Sequence, residues 1–137
     1  MTKKRLPPTA VAIGFVDCIN RGDLEGLIAM MSGDHRLEVF NEEPVIGRSA
    51  NASAWRSYMT AFPQYVIYPH HISDDGDVVA ILGHTTGSHL GLPDAEEREL
   101  LLIWLAFVKE GAIERWCLVE DTPANRGKFG LGNRNSL

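Results

Sequence analysis

Apolar residues recur with a helical period in the first third of the chain, and strand-like runs fill most of the rest. Val11, Phe15, Cys18 and Ile19 form the first stripe, with Thr9 a suitable N-cap after Leu6-Pro7-Pro8 and Gly22 at the stop. Asp23 can cap a second helix whose stripe is Leu24, Leu27, Ile28 and Met31, ended by Gly33. A strand is expected from Arg36 to Asn41, with Leu37 and Val39 on one parity. Glu42-Glu43-Pro44-Val45-Ile46-Gly47 breaks it, because Pro44 has no N–H to give a ladder. Ser49 can cap a third helix carrying Ala54, Trp55, Tyr58, Met59 and Phe62 on one face, which stops at Pro63. Strands at Gln64–Ile72 and Val78–Leu90 follow, joined by the turn Asp74-Asp75-Gly76-Asp77.

The stretch from Leu100 to Asp121 reads as a β-hairpin turning at Lys109-Glu110-Gly111 and ending on the adjacent acids Glu120 and Asp121. Its first arm is apolar at both parities: Leu100, Leu102, Trp104, Ala106 and Val108 on one side, Leu101, Ile103, Leu105 and Phe107 on the other. Both faces must be covered, by helices on one side and by another sheet or subunit on the other. A homodimer through the outer face of the sheet is therefore expected. Beyond Thr122 the chain is rich in Gly and Asn with little periodicity, which predicts a mobile or partner-bound tail. Helix, helix, strand, helix and then four strands is an α+β order, with helices on one face of a curved, mostly antiparallel sheet.

Composition narrows the partners. The 137 residues and 15.1 kDa suit one domain. A net charge of -5 and a pI near 5.5 disfavour a nucleic-acid binder. The basic clusters, Lys3 to Arg5 and Arg126 to Arg134, read as solvated terminal segments. There is no run of about eighteen apolar residues and no apolar leader, so neither membrane span nor signal peptide is expected, and the cytoplasm is the default compartment. Cys18 and Cys117 are too few to form a disulfide framework or a four-ligand zinc site, and free thiols are expected. Cys18 lies on the first apolar stripe, as a core residue would.

Several short segments in this order resemble the nuclear-transport-factor-2-like superfamily, and within it the SnoaL-like polyketide cyclases and ketosteroid isomerases. They are Asn20-Arg21-Gly22-Asp23, Gly47, Phe62-Pro63, Thr86-Gly87-Ser88-His89-Leu90-Gly91, Gly111-Ala112-Ile113, Trp116 with Glu120-Asp121, and Phe129-Gly130-Leu131. The resemblance implies a cystatin-like cone: a strongly curved sheet with three N-terminal helices closing a pocket, here over residues 9–121 with tails at 1–8 and 122–137. It also implies a small apolar carbonyl compound in the pocket, handled without a cofactor by an isomerase-, cyclase- or dehydratase-like proton transfer. A non-catalytic ligand-binding or dimerisation module of the same fold is the alternative. Proton abstraction beside a carbonyl needs a carboxylate base in an apolar setting and a donor for the developing oxyanion.

Three acids are candidates for that base. Glu43 shares a parity with Leu37, Val39 and Asn41 if the strand stays extended, and Glu43-Pro44-Val45 resembles the acid-Pro segment of the isomerases, with Glu for their Asp. An exposed turn acid is the plain reading of the same residue. Of the two acids ending the hairpin, the parity of Trp116 and Leu118 favours Glu120 as the buried one, whereas the family's position for the acid favours Asp121. His89, in the cyclase-like Gly-Ser-His-Leu-Gly segment, is the candidate proton carrier or donor. Tyr58, Trp104, Trp116 and Trp55 are candidate ligand-contacting residues as well as candidate core. His84 and His89 fall on opposite faces of one strand and His70 adjoins His71, so no metal site is expected.

Overall fold

Residues 6–132 are described in a computed structural model. Helix α1 (Pro8–Arg21) starts on Pro8, whose fixed φ suits the first helical position, so Pro7 rather than Thr9 occupies the N-cap. It ends at Gly22 in the left-handed conformation, and Asp23 then caps α2 (Leu24–Ala29) by accepting from the Gly26 N–H at 3.0 Å. The Asn20 side chain ties this corner to the sheet, donating to the Ile67 carbonyl at 2.9 Å and accepting from the Ile67 N–H at 2.8 Å.

The second helix is shorter than its stripe suggests. Ile113 N–H donates to the Met30 carbonyl at 2.8 Å, and Met31 joins a sheet ladder, so β1 runs from Met31 to Val39. A short β2 (Val45–Ile46) folds back on it before α3 (Arg48–Ala61), which Gly47 rather than Ser49 precedes. Asn51 on α3 is fully buried and gives its amide N–H groups to the carbonyls of His35, Val45 and Gly47, fixing the helix over β1 and β2. Strands β3 (Val66–Asp75), β4 (Val78–Thr86), β5 (Leu102–Lys109) and β6 (Ala112–Glu120) complete the sheet, with a single-turn α4 (Asp94–Glu97) between β4 and β5.

Strand order is β2-β1-β6-β5-β4-β3, and every pairing is antiparallel except β1 with β6, which is parallel. Irregularities between Met31 and Arg36, Pro69 and His71, and Phe107 and Val108 bend the sheet as bulges do. The result is the α+β layout expected from the pattern: a curved, mostly antiparallel sheet with α1, α2 and α3 on the concave side. Val11, Phe15 and Ile19 of α1 pack there on Val79, Ile81, Ala106 and Val108. Cys18 and Cys117 are free and buried, and burial with the Glu38 carboxylate pushes the Cys117 thiol up to about 12.

The convex face corrects one expectation. The segment after Thr122, read as a mobile or partner-bound tail, forms α5 (Pro123–Lys128), capped by the Thr122 hydroxyl accepting from Asn125 N–H at 3.0 Å. Leu131 then lies 3% exposed against Ala80, Leu82, Ile103, Leu105 and Cys117. The chain itself thus covers part of the second apolar face of β5. Arg126, placed in a solvated basic segment by the sequence pattern, is buried beside Asp121, whereas Lys3 to Arg5 and Arg134 lie outside the described residues.

Two measurements follow from this packing. Leu131→Ala should lower unfolding free energy by about 2–4 kcal/mol, read by denaturant titration, whereas a mobile tail would show no change. His35 is fully buried, and because a carbonyl can only accept, its Nδ1 carries the proton donated to Ile113 O at 2.6 Å. Nε2 is then a buried acceptor without a partner among the described residues, and burial holds the ring's pKa below its ordinary value of 6.5, partly offset by the Ile113 bond. The neutral ring is the folded form, so its contribution is complete above the unfolded pKa and is lost as pH falls toward the folded one. Between about pH 7 and pH 5 the Tm should drop more steeply in the wild type than in His35→Gln; equal slopes would refute this.

Candidate functional site

A cavity of about 410 Å³ lies between α3 and the concave face of the sheet. Its walls come from five places: Leu37 and Val39 on β1, Ala54, Trp55 and Tyr58 on α3, Phe62 and Tyr65 just after it, Trp104 on β5, and Trp116 and Leu118 on β6. Glu42 and His89 complete the lining at the mouth. The expected α3 stripe therefore does aim Trp55, Tyr58 and Phe62 at the sheet, and the alternate positions of β6 aim Trp116 and Leu118 at α3. The rings touch one another: Tyr58 sits 4.8 Å from Phe62, 5.0 Å from Tyr65 and 5.7 Å from His89, centroid to centroid.

One polar pair interrupts this apolar wall. Tyr58 Oη and His89 Nδ1 are 2.9 Å apart, and the same phenol oxygen accepts the His89 backbone N–H at 3.1 Å. Either the phenol donates to Nδ1 or a protonated Nδ1 donates to the phenol, depending on which ring nitrogen holds the proton. Burial raises the Tyr58 pKa, and it drives the Tyr65 pKa higher still, so both phenols keep their protons at neutral pH. Among the described residues no Lys or Arg lines the cavity, and Glu42 is the single lining carboxylate, exposed at the rim.

The three predicted acids lie elsewhere. The first strand does not stay extended through Glu43: Phe40 takes a positive φ of 47°, and Glu42 N–H turns back to the Val39 carbonyl at 2.9 Å. That turn brings Glu42 to the mouth and leaves Glu43 exposed outside it. Glu120 follows Trp116 and Leu118 in parity, as expected, but as the last residue of β6 it stands exposed and is not among the cavity's lining residues. Asp121 is held by Arg126 through a bidentate pair, Nε to Oδ1 at 2.5 Å and Nη2 to Oδ2 at 2.7 Å. His89 reaches the cavity for a different reason from the one read in the sequence: β4 ends at Thr86, and His89 stands on the loop beyond.

Sequence reasoning did not single out Leu37, Val39, Glu42 or Tyr65 as site residues, although the parity of Leu37 and Val39 was visible. It also missed Glu97, a carboxylate 1% exposed close behind His89. Nothing in the run Asp94-Ala95-Glu96-Glu97-Arg98-Glu99 distinguishes that acid from its exposed neighbours. Among the described residues no group of three or more His, Cys, Asp or Glu is arranged to hold a metal ion.

Comparison with known proteins agrees with this architecture. The sequence profile of the SnoaL-like domain matches residues 12–116. Among solved structures, an uncharacterised cystatin-fold protein from Novosphingobium aromaticivorans superposes with a TM-score of 0.73 at 15% identity, over 84% of this chain and 99% of that one. A candidate polyketide cyclase from Sinorhizobium meliloti gives a TM-score of 0.68 at 23% identity, over 83% and 95%. SalBIII, an epoxide hydrolase/cyclase-like enzyme of pyran ring formation in the polyether salinomycin, gives 0.66 at 20% identity, over 81% and 88%. These identities establish a shared fold. No curated protein matches the chain.

The geometry separates walls from bystanders. Trp55→Ala or Tyr58→Ala should weaken binding of 2-naphthol, followed by tryptophan fluorescence, by about tenfold. Glu43→Gln and Glu120→Gln should leave it unchanged. A comparable loss in either of these amide variants would place the site wrongly.

Proposed function

Since the chain belongs to the SnoaL-like domain family, whose profile spans more than half of it, we propose that it encloses a small apolar carbonyl compound and moves a proton on it without a cofactor. The reaction is of isomerase, cyclase or dehydratase type, and the proton carriers are His89 and Tyr58. The observation that carries this reading is the 2.9 Å contact between Tyr58 Oη and His89 Nδ1 on the wall of an otherwise apolar cavity.

The chemistry follows from the two ways of placing one proton. With the proton on Nδ1, that N–H donates to the phenol oxygen, which also accepts the His89 backbone N–H. Two donors on one phenol oxygen make its own O–H a stronger donor to a ligand carbonyl. Nε2 is then a bare lone pair able to take a proton from the carbon next to that carbonyl. As charge builds on the ligand oxygen, the phenol, half-buried at the cavity mouth, donates to it. Passing the proton back from Nε2 to another atom of the same ligand completes an isomerisation or ring closure, with no net change in the protein. No carboxylate base is required, which fits the places of Glu43, Glu120 and Asp121.

A second reading, binding without chemistry, is favoured because no buried carboxylate lines the cavity among the described residues. Tyr58→Phe and His89→Gln distinguish the two. Both should cut turnover of an accepted substrate by about a hundredfold or more while ligand affinity changes far less. Unimpaired turnover in both variants would overturn the acid–base proposal. We also propose that the protein pairs with a second copy across the convex face, where Leu101, Phe107 and Val119 remain half-buried. Light scattering should then give twice the 15.1 kDa chain mass; a monomer at micromolar concentration would refute it.

A further inference from the structure

Glu97 has no part in that mechanism and yet is 1% exposed, on the single turn α4 that follows the His89 loop. Carboxylates are rarely buried without a cation, because removal from water strongly disfavours the charged form. No cation forms an ion pair with Glu97 among the described residues. What it has instead is two hydrogen-bond donors from the ends of one loop. Thr85 Oγ1, on the next-to-last residue of β4, donates to Oε2, and Ser88 N–H donates to Oε1 at 3.4 Å.

The loop between these anchors is shaped to depend on them. Gly87, just past the end of β4, has φ of +70°, and a Cβ there would run into the Gln64 carbonyl oxygen, so the exit from the strand requires glycine. Residues 88–91 then make a tight turn, with Leu90 N–H on Ser88 Oγ at 3.2 Å and Gly91 N–H on the Ser88 carbonyl at 3.4 Å. His89, the next residue after the Ser88 amide that Glu97 holds, projects from this turn to Tyr58.

We propose that Glu97 is a positioning residue for the cavity's acid–base pair: its carboxylate clamps Thr85 and the Ser88 amide so that both the ring and the backbone N–H of His89 meet the Tyr58 hydroxyl. The functional weight of this assignment rests on the His89–Tyr58 reading above. Its charge also stands close enough to Tyr58 and Tyr65 to add, after burial, to the forces that keep their phenols protonated.

Amide hydrogen exchange in the ligand-free protein tests the clamp independently of any substrate. In Glu97→Ala, protection of the Ser88 and His89 amides should fall about tenfold or more, while Ile81 and Trp104 in the core keep theirs. Glu97→Gln retains a carbonyl acceptor and should recover most of that protection. A Glu97→Ala protein with wild-type exchange at His89 would overturn the assignment, as would loss at His89 no larger than at Ile81 and Trp104. Should that variant fail to fold, Thr85→Val removes one of the two donors. It should still loosen Ser88 and His89 selectively, and unchanged exchange there would also overturn it. Binding of 2-naphthol, measured on the same proteins, reports separately on the cavity: wild-type protein that does not bind it would count against the pocket reading and leave the exchange result standing.

Discussion

β1 and β6 run side by side in parallel, with Leu37 opposite Trp116 and Val39 opposite Leu118, and the cavity exists because of that ladder. It joins the first strand to the last and so brings the helices before β1 and the hairpin after α4 around one concave surface. The four residues that meet across it are also four of the cavity's lining positions. Its lower end is made firm by buried polar contacts: His35 bonds across to Ile113, and Asn51 anchors α3 to the His35 carbonyl and its neighbours. Such bonds matter more in a core than on a surface, since their loss leaves a desolvated group without a partner. Turning β1 away from β6 would remove floor and wall together.

On this scaffold the apolar and polar parts of the site have different physical origins. Helical and strand periodicity supply the rings, each buried for its own packing energy and left facing a common gap. The polar pair depends on chain direction: β4 must stop at Thr86, swing through Gly87, and be held by a carboxylate that arrives nine residues after Ser88, on another element. A ligand in this cavity meets aromatic and aliphatic walls everywhere except at Tyr58, His89 and the rim carboxylate Glu42. No Lys or Arg is present among the described lining residues to offset an anion's desolvation, so this lining favours a neutral occupant over an anion.

The convex face shows how one constraint can be met in more than one way. The two-sided apolar run from Leu100 to Val108 demands cover on both faces, and that demand holds. Pattern alone cannot say whether the cover is another subunit or the chain's own end. Leu131 and α5 supply part of it, although the Gly- and Asn-rich composition of that segment carries no periodicity from which its docking could be read.

Residue order alone was enough for the first three helices and the long strands, though not for β2, α4 or α5, and for the α+β class, the aromatic stripe on α3 and the alternation that aims Trp116 and Leu118 inward. These follow from periods of 3.6 and 2, which any core-facing helix or strand must obey. Tertiary structure decided which acid lines the cavity. Glu43, Glu120 and Asp121 are not among its lining residues: Phe40 takes a positive φ before Glu43, Glu120 stands exposed at the last residue of β6, and Asp121 pairs with a guanidinium on a helix the pattern did not reveal. Glu97 gained its place beside the site because a loop closed on it. Periodicity is a local property of the chain, whereas the burial of a single carboxylate depends on where distant segments meet, and only the folded structure holds that information.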